Sequence, residues 1–304
     1  MRVFLTGSTG FIGSQVTREL LDAGHQVLGL TRSDEGDRTL RTMGAEAHRG
    51  DIEDLDSLKK GAEHCDAVIH TAFDHNFDHF VDNCKKDARV IAALGEVLEG
   101  SARSLIITSG TGMGSAGPGQ MADEDHFNPH HPNPRVASEL AGEALKQRGI
   151  NVVVMRLSQI HNPVRQGLIG YLIDLARQKG MSAYLGEGLN PWSAAHVADT
   201  AHLYRLALEK HQPGARYHAT TEQRIMARDI AQVIGEGLGM PTVSLPDAQA
   251  AAHFGWLSVF TGQDFSASSS KTRQRLGWTP KGPGLLEDLR LCLASHQDRG
   301  PEKN

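Results

Sequence analysis

The sequence predicts a doubly wound α/β fold, a parallel sheet with helices on both faces, followed by a smaller C-terminal lobe. Two observations predict the sheet. Short runs rich in Val, Ile and Leu alternate with longer runs of helical period through the first half of the chain. That alternation places parallel strands with crossover helices between them. Most strand runs are apolar throughout, as strands buried on both faces require. A third observation marks the ligand edge of the sheet: Gly7, Gly10 and Gly13 lie between the first strand run and the first helical run.

Strands are expected at 3–6, 26–31, 45–48, 67–70, 104–108 and 151–156, with helices at 11–23, 55–62, 79–98 and 135–148. After Arg156 the pattern loosens. Helices at 167–179, 197–208, 227–237 and 247–253 are separated by Gly and Pro, and a late strand at 216–219 is placed to extend the sheet. The chain thus divides into a dinucleotide-binding domain at 1–160, a less regular substrate lobe with a return to the sheet at 161–295, and a polar tail at 296–304.

Composition narrows the function. With 304 residues, 39% hydrophobic and 22% charged, the chain can bury a sizeable core and is too apolar for long disorder. Asp and Glu (36) outnumber Lys and Arg (31), so no nucleic-acid partner held by bulk charge is expected. The apolar runs are too short to span a bilayer, so no membrane partner is expected. The strand run that opens at Arg2 is expected to leave no room for a signal peptide. Cys65, Cys84 and Cys292 lie far apart with no CxxC pair, which predicts a reducing, cytoplasmic setting. His130 and His131 are adjacent and His126 is near, but no HExxH or HxH spacing accompanies them. Pro129, Pro132 and Pro134 frame them as a polar loop, and no metal is expected.

The glycine loop carries the strongest chemical signal. Gly7 permits a tight turn, Gly10 lets the backbone approach a pyrophosphate, and Gly13 lets the helix pack on the sheet. The helix amino terminus offers free N–H groups and partial positive charge to phosphates. Gly7, Thr9, Gly10, Phe11, Ile12 and Gly13 are therefore the expected phosphate-binding set. An NAD site usually ends its second strand with an acid; here that end reads Thr31, Arg32, Ser33, with Asp34 next. Arg32 and Ser33 suit a 2′-phosphate, which favours NADP over NAD. Asp51 and Ile52 follow the third strand beside the adenine. Thr71, Ala72 and Phe73 follow the fourth, and Thr108 ends the fifth.

The stretches GSTGFIG, RGDIED, VIHTAF, LIITSGTG, WSAAHVADTA and LGWTP resemble the extended branch of the short-chain dehydrogenase/reductase superfamily. NAD-dependent epimerases, dehydratases and 3β-hydroxysteroid dehydrogenases belong to that branch. The resemblance runs from residue 1 to about 295. It is most specific in the glycine loop and in His196-Val197-Ala198-Asp199.

The resemblance implies a Rossmann-type domain and a Tyr-x-x-x-Lys pair on the helix after the fifth strand. Here those positions hold Arg135 and Glu139, while Ser138, Gly142 and Glu143 keep the pattern. The chain therefore resembles an atypical subgroup lacking the pair. None of Tyr171, Tyr184, Tyr204 and Tyr217 has a lysine four residues on. A guanidinium keeps its proton at neutral pH, so Arg135 is no proton donor. Glu139 can act as acid or base only if its surroundings are buried. The resemblance further implies that Ser109, or Thr111 after it, polarises a substrate oxygen. It assigns the helix after the fourth strand a polar role that falls to Asp87, with Asn83 competing. Replacement acid–bases are His161, after the sixth strand, and Tyr171; an imidazole titrating at about 6.5 suits proton transfer. Trp192 and His196 are expected to shape the lobe.

The expected activity is NADP-dependent oxidoreduction of a carbonyl or alcohol on a small organic substrate, by reductase, epimerase or dehydratase chemistry. A homodimer through the helices at 79–98 and 135–148 is compatible with the resemblance. The alternative is a non-catalytic NADP-binding sensor. A nucleotide-sugar enzyme using Arg165, Arg177 and Lys179 is the third reading.

Overall fold

The computed structural model describes residues 1–297. Residues 298–304 of the expected tail lie outside them. The first half alternates without interruption: β1 (Arg2–Thr6), α1 (Phe11–Asp22), β2 (Gln26–Thr31), α2 (Asp34–Met43), β3 (Glu46–Arg49), α3 (Leu55–Glu63), β4 (Ala67–His70), α4 (Phe80–Leu98), β5 (Ser104–Gly110), α5 (Val136–Gln147) and β6 (Asn151–Leu157). Then come β7 (Gln159–His161), α6 (Leu168–Lys179), β8 (Ser182–Leu185), β9 (Pro191–His196), α7 (Val197–Lys210) and β10 (Arg216–Ala219). The chain continues through β11 (Glu222–Met226), α8 (Ala227–Leu238), β12 (Thr242–Leu245), α9 (Asp247–Phe254), α10 (Ser258–Thr261), α11 (Ser270–Leu276) and α12 (Leu285–Gln297).

Seven parallel strands form the main sheet in the order β10-β6-β5-β4-β1-β2-β3. The order reverses between β1 and β4, the switch point at which such sheets open a crevice beyond their carboxyl ends. One face is covered by α1 and α7, with Leu40 of α2 and Trp278, in a core around Val3, Leu5, Ile69, Ile106 and Val153. The other face packs α3, α4 and α5 around Phe4, Val68, Leu105, Ile107 and Val152. Successive residues of one central strand thus enter opposite cores, which is why the runs at 3–5, 105–107 and 152–155 are apolar without alternation.

The lobe is more ordered than the sequence suggests. A three-stranded sheet, β11-β9-β7, and a parallel pair, β12-β8, are wrapped by α6, α8, α9, α10 and α12 around Ile169, Trp192, Ile230, Phe254 and Leu289. No helix among the described residues is long and apolar enough to cross a membrane.

Candidate active site

Three glycines shape the turn after β1, each for a different reason. Gly7 has φ of 70°, and a Cβ there would stand 2.8 Å from the Ala72 amide nitrogen. A Cβ on Gly13 would lie 2.0 Å from the Gly7 carbonyl oxygen, so α1 packs on the turn only without a side chain. Gly10 needs no special dihedral (φ −76°), and its Cβ would meet only the Gly7 oxygen, at 3.1 Å. What a side chain at Gly10 would fill is the cleft. Ser8 Oγ donates to the Leu30 carbonyl (2.9 Å), tying the turn to β2.

A cleft of about 2160 Å³ runs along the carboxyl ends of the sheet. Gly7, Thr9, Gly10, Phe11, Ile12, Gly13, Arg32, Asp51, Ile52, Thr71, Ala72, Phe73, Thr108, Ser109 and Thr111 all line it. Arg32 has a side chain 77% exposed, 3.8 Å from Asp51. Ser109 is buried at the end of β5, and its hydroxyl meets no partner. Thr108 Oγ1 donates to the His70 carbonyl (2.7 Å), so the 2.6 Å contact with Tyr204 is a hydrogen bond donated by the phenol.

Three expected site residues are not brought to the cleft wall. Ser33 caps α2, its hydroxyl accepting from the Gly36 amide at 3.1 Å. His161 is wholly buried, because the chain turns after β6 into β7 and carries the ring into the lobe interior. Its Nδ1 lies 2.7 Å from Asp288 on α12, and burial pushes the imidazole below its ordinary range. Asp87 lies beneath the wall. Asn83, its competitor, donates to the Asn76 carbonyl and anchors the loop before α4.

Asp87 is the hub of a buried chain that sequence spacing does not reveal. Thr6 Oγ1 meets His70 Nδ1 at 2.7 Å, and His70 Nε2 meets Asp87 Oδ1 at 3.0 Å. Asp87 Oδ2 accepts from Ser138 (2.6 Å) and pairs with Arg135 Nη1 (2.7 Å). Burial alone would raise the Asp87 carboxyl. The Arg135 charge and the hydrogen bonds from His70 and Ser138 win, and hold it at about 2. Arg135 also donates to the Thr108 carbonyl (3.0 Å) and lies over the Phe73 ring at 3.9 Å. It lines the cleft as a pinned cation.

Glu139 faces away, into the core. Arg156 grips it at 2.8 Å through both Nε and Nη2, and Arg216 Nε donates to it at 3.0 Å. Arg216 also binds Glu143. Glu139 and Arg156 are both fully buried. A carboxylate held by two guanidinium groups is a structural anion and not an available base. The one sequence signal for this clamp was Arg156 itself, a charge closing an otherwise apolar strand run.

A strand–glycine turn–helix at the switch point, with a continuous cleft beyond it, is a dinucleotide site. The family model described as the NAD dependent epimerase/dehydratase family matches residues 3–220. The chain belongs to this family. Epimerase/dehydratase family members include NAD-dependent epimerases, dehydratases and reductases. The chain is 45% identical to the uncharacterized protein C2A9.02 of Schizosaccharomyces pombe, over 95% of this chain and 98% of that one. It is 41% identical to the uncharacterized protein YLL056C of Saccharomyces cerevisiae, over 95% and 98%. The structure of UDP-glucose 4-epimerase from Thermotoga maritima with UDP-glucose superposes with a TM-score of 0.76 at 20% identity, covering 98% of this chain and 99% of that one. That likeness is one of fold. At the two positions where the resemblance implies a tyrosine and a lysine stand Arg135 and Glu139, each held in an ion pair of its own.

Proposed function

We propose that this chain is an NADP-dependent oxidoreductase acting on the carbonyl or alcohol of a small organic substrate. The observation that carries the reading is the Ser109 hydroxyl. It is buried, has no partner, and lines the same cleft as the glycine cradle. An unpaired buried hydroxyl costs stability, so a ligand oxygen that completes it is the economical explanation. The bound dinucleotide would supply the two-electron redox chemistry. The residues at hand fit it. Gly7, Thr9, Gly10, Phe11, Ile12 and Gly13 would hold the pyrophosphate, Asp51 and Ile52 the adenine end, and Thr71, Ala72, Phe73 and Thr108 the inner wall. Ser109, with Thr111 behind it, would donate to the substrate oxygen. In this reading residues 1–160 carry the cofactor and 161–295 select the substrate.

The test is equilibrium binding of NADPH and NADH, followed by turnover on a panel of aldehydes and ketones. Arg32 is free to meet a 2′-phosphate, its nearest charge being Asp51 at 3.8 Å. NADP is therefore expected to bind more tightly than NAD. Arg32→Ala should erase most of that gap, roughly ten- to a hundredfold. A variant that keeps the wild-type ratio would remove Arg32 from cofactor choice. Ser109→Ala should lower turnover by about 10²–10³-fold with NADPH affinity unchanged. Full activity in that variant would dismiss the hydroxyl.

A non-catalytic NADP sensor is the second reading. It is favoured by the locking of both Arg135 and Glu139 in ion pairs. Tight NADPH binding with no turnover across the panel would select it.

A further inference from the structure

We propose that His131 is the hydrogen-bond donor that stands in for the missing tyrosine at the substrate oxygen. The inference rests on the oxidoreductase reading above. His131 lies in the loop between β5 and α5, four residues before Arg135, and lines the same cleft as Ser109 and Thr111. Its Nδ1 accepts the backbone N–H of Asn133 at 3.1 Å. An amide N–H only donates, so Nδ1 is the bare nitrogen, and the neutral ring carries its hydrogen on Nε2. That Nε2 meets no hydrogen-bond partner among the described residues, and it is not sealed in the interior.

The loop holds the ring in place. The His131 amide donates to the Asn128 carbonyl (3.1 Å), the Asn133 side chain accepts from the Arg135 amide (2.9 Å), and the Val136 amide donates to the Asn133 carbonyl (3.0 Å). Pro132 and Pro134 stiffen the same turn. Burial pushes the ring below its ordinary range and so favours the neutral form, while the charges of Glu139 and Arg156 act on it with opposite signs. A neutral imidazole N–H can polarise a carbonyl without itself changing charge; hydride addition to the carbon then leaves an alkoxide, held by Nε2–H, that takes its proton from solvent water in the cleft.

Two other nitrogen donors of the cleft, His75 and Arg135, are already committed. The His75 ring has Nδ1 against the Phe73 carbonyl (3.1 Å), so its hydrogen is spent there and Nε2 can only accept while the ring is neutral. Arg135 already donates to Asp87, Ser138 and Thr108.

The experiment compares wild type, His131→Ala and His131→Gln as full-length chains. It measures NADPH affinity, turnover of a carbonyl that the wild type reduces, and the imidazole tautomer by nitrogen-15 NMR of labelled histidine. His131→Ala should lose about a hundredfold in kcat with NADPH affinity and thermal unfolding unchanged, and His131→Gln should recover part of the loss through its amide N–H. The resonance absent from His131→Gln should be that of an Nε2–H ring. A ring with its hydrogen on Nδ1, or His131→Ala with wild-type kcat, overturns the inference and leaves the oxidoreductase reading standing. A wild type that binds NADPH and turns over no carbonyl overturns both.

Discussion

Gly10→Val is expected to abolish dinucleotide binding and to leave the fold intact. The two halves of that result have separate causes. Gly10 sits at an ordinary extended dihedral, and a Cβ there meets one backbone oxygen, at 3.1 Å, a tight contact that a shift of the turn by a few tenths of an ångström relieves. Its remaining surroundings are the cleft wall, where valine methyls would occupy the approach to the pyrophosphate. NADPH titration checks the first half and thermal unfolding the second. Gly13→Ala is the control with the opposite outcome: its Cβ would stand 2.0 Å from the Gly7 oxygen, so it should damage folding itself. Wild-type NADPH affinity in Gly10→Val would remove the basis for a cofactor in this cleft.

Glu139→Ala is expected to be among the most destabilising single changes in the chain. It leaves Arg156 fully buried with no carboxylate partner among the described residues, while the mostly buried Arg216 keeps only Glu143. Breaking a buried pair by removing one partner costs about 3–5 kcal/mol, because the survivor remains charged and dry. For a chain of this size that corresponds to a fall of roughly 5–8 °C in Tm. Glu139→Gln, which keeps the shape and one acceptor, should lose less. Unaltered unfolding in Glu139→Ala would mean that the clamp contributes nothing and would reopen Glu139 as a base.

The central strands of the main sheet are legible because both of their faces are buried, which leaves a compositional mark no loop imitates; the edge strand β3, with Glu46 and Arg49 exposed, lacks that mark. α2 carries no such mark: only Gly36 and Leu40 are buried, and its signs are the Ser33 cap and the left-handed Gly44 that ends it. The strands of the lobe are short, and β8 and β12 pair only with each other, so their sequences are mixed. At the site, the glycine turn is written in spacing, and spacing survives folding. Asp87 and Arg135 are a pair only in three dimensions, as are Glu139 and Arg156, so no spacing in the sequence announces either pair. His161 misleads for a related reason. It follows β6 closely in sequence, but the turn into β7 aims its side chain at Asp288. His131 shows the reverse case, a loop histidine whose tautomer is set by a backbone amide two residues on.

The ion pairs of Arg135 and Glu139 limit what α5 can carry. Each residue has a partner elsewhere in the fold, Asp87 on α4 for one, Arg156 and Arg216 on β6 and β10 for the other. A lysine placed at 139 would face two guanidinium groups in the interior, and a tyrosine placed at 135 would leave the Asp87 carboxylate without its guanidinium. Substituting either position alone is therefore costly: this helix can accept a Tyr-x-x-x-Lys pair only if the partners on the neighbouring elements change with it.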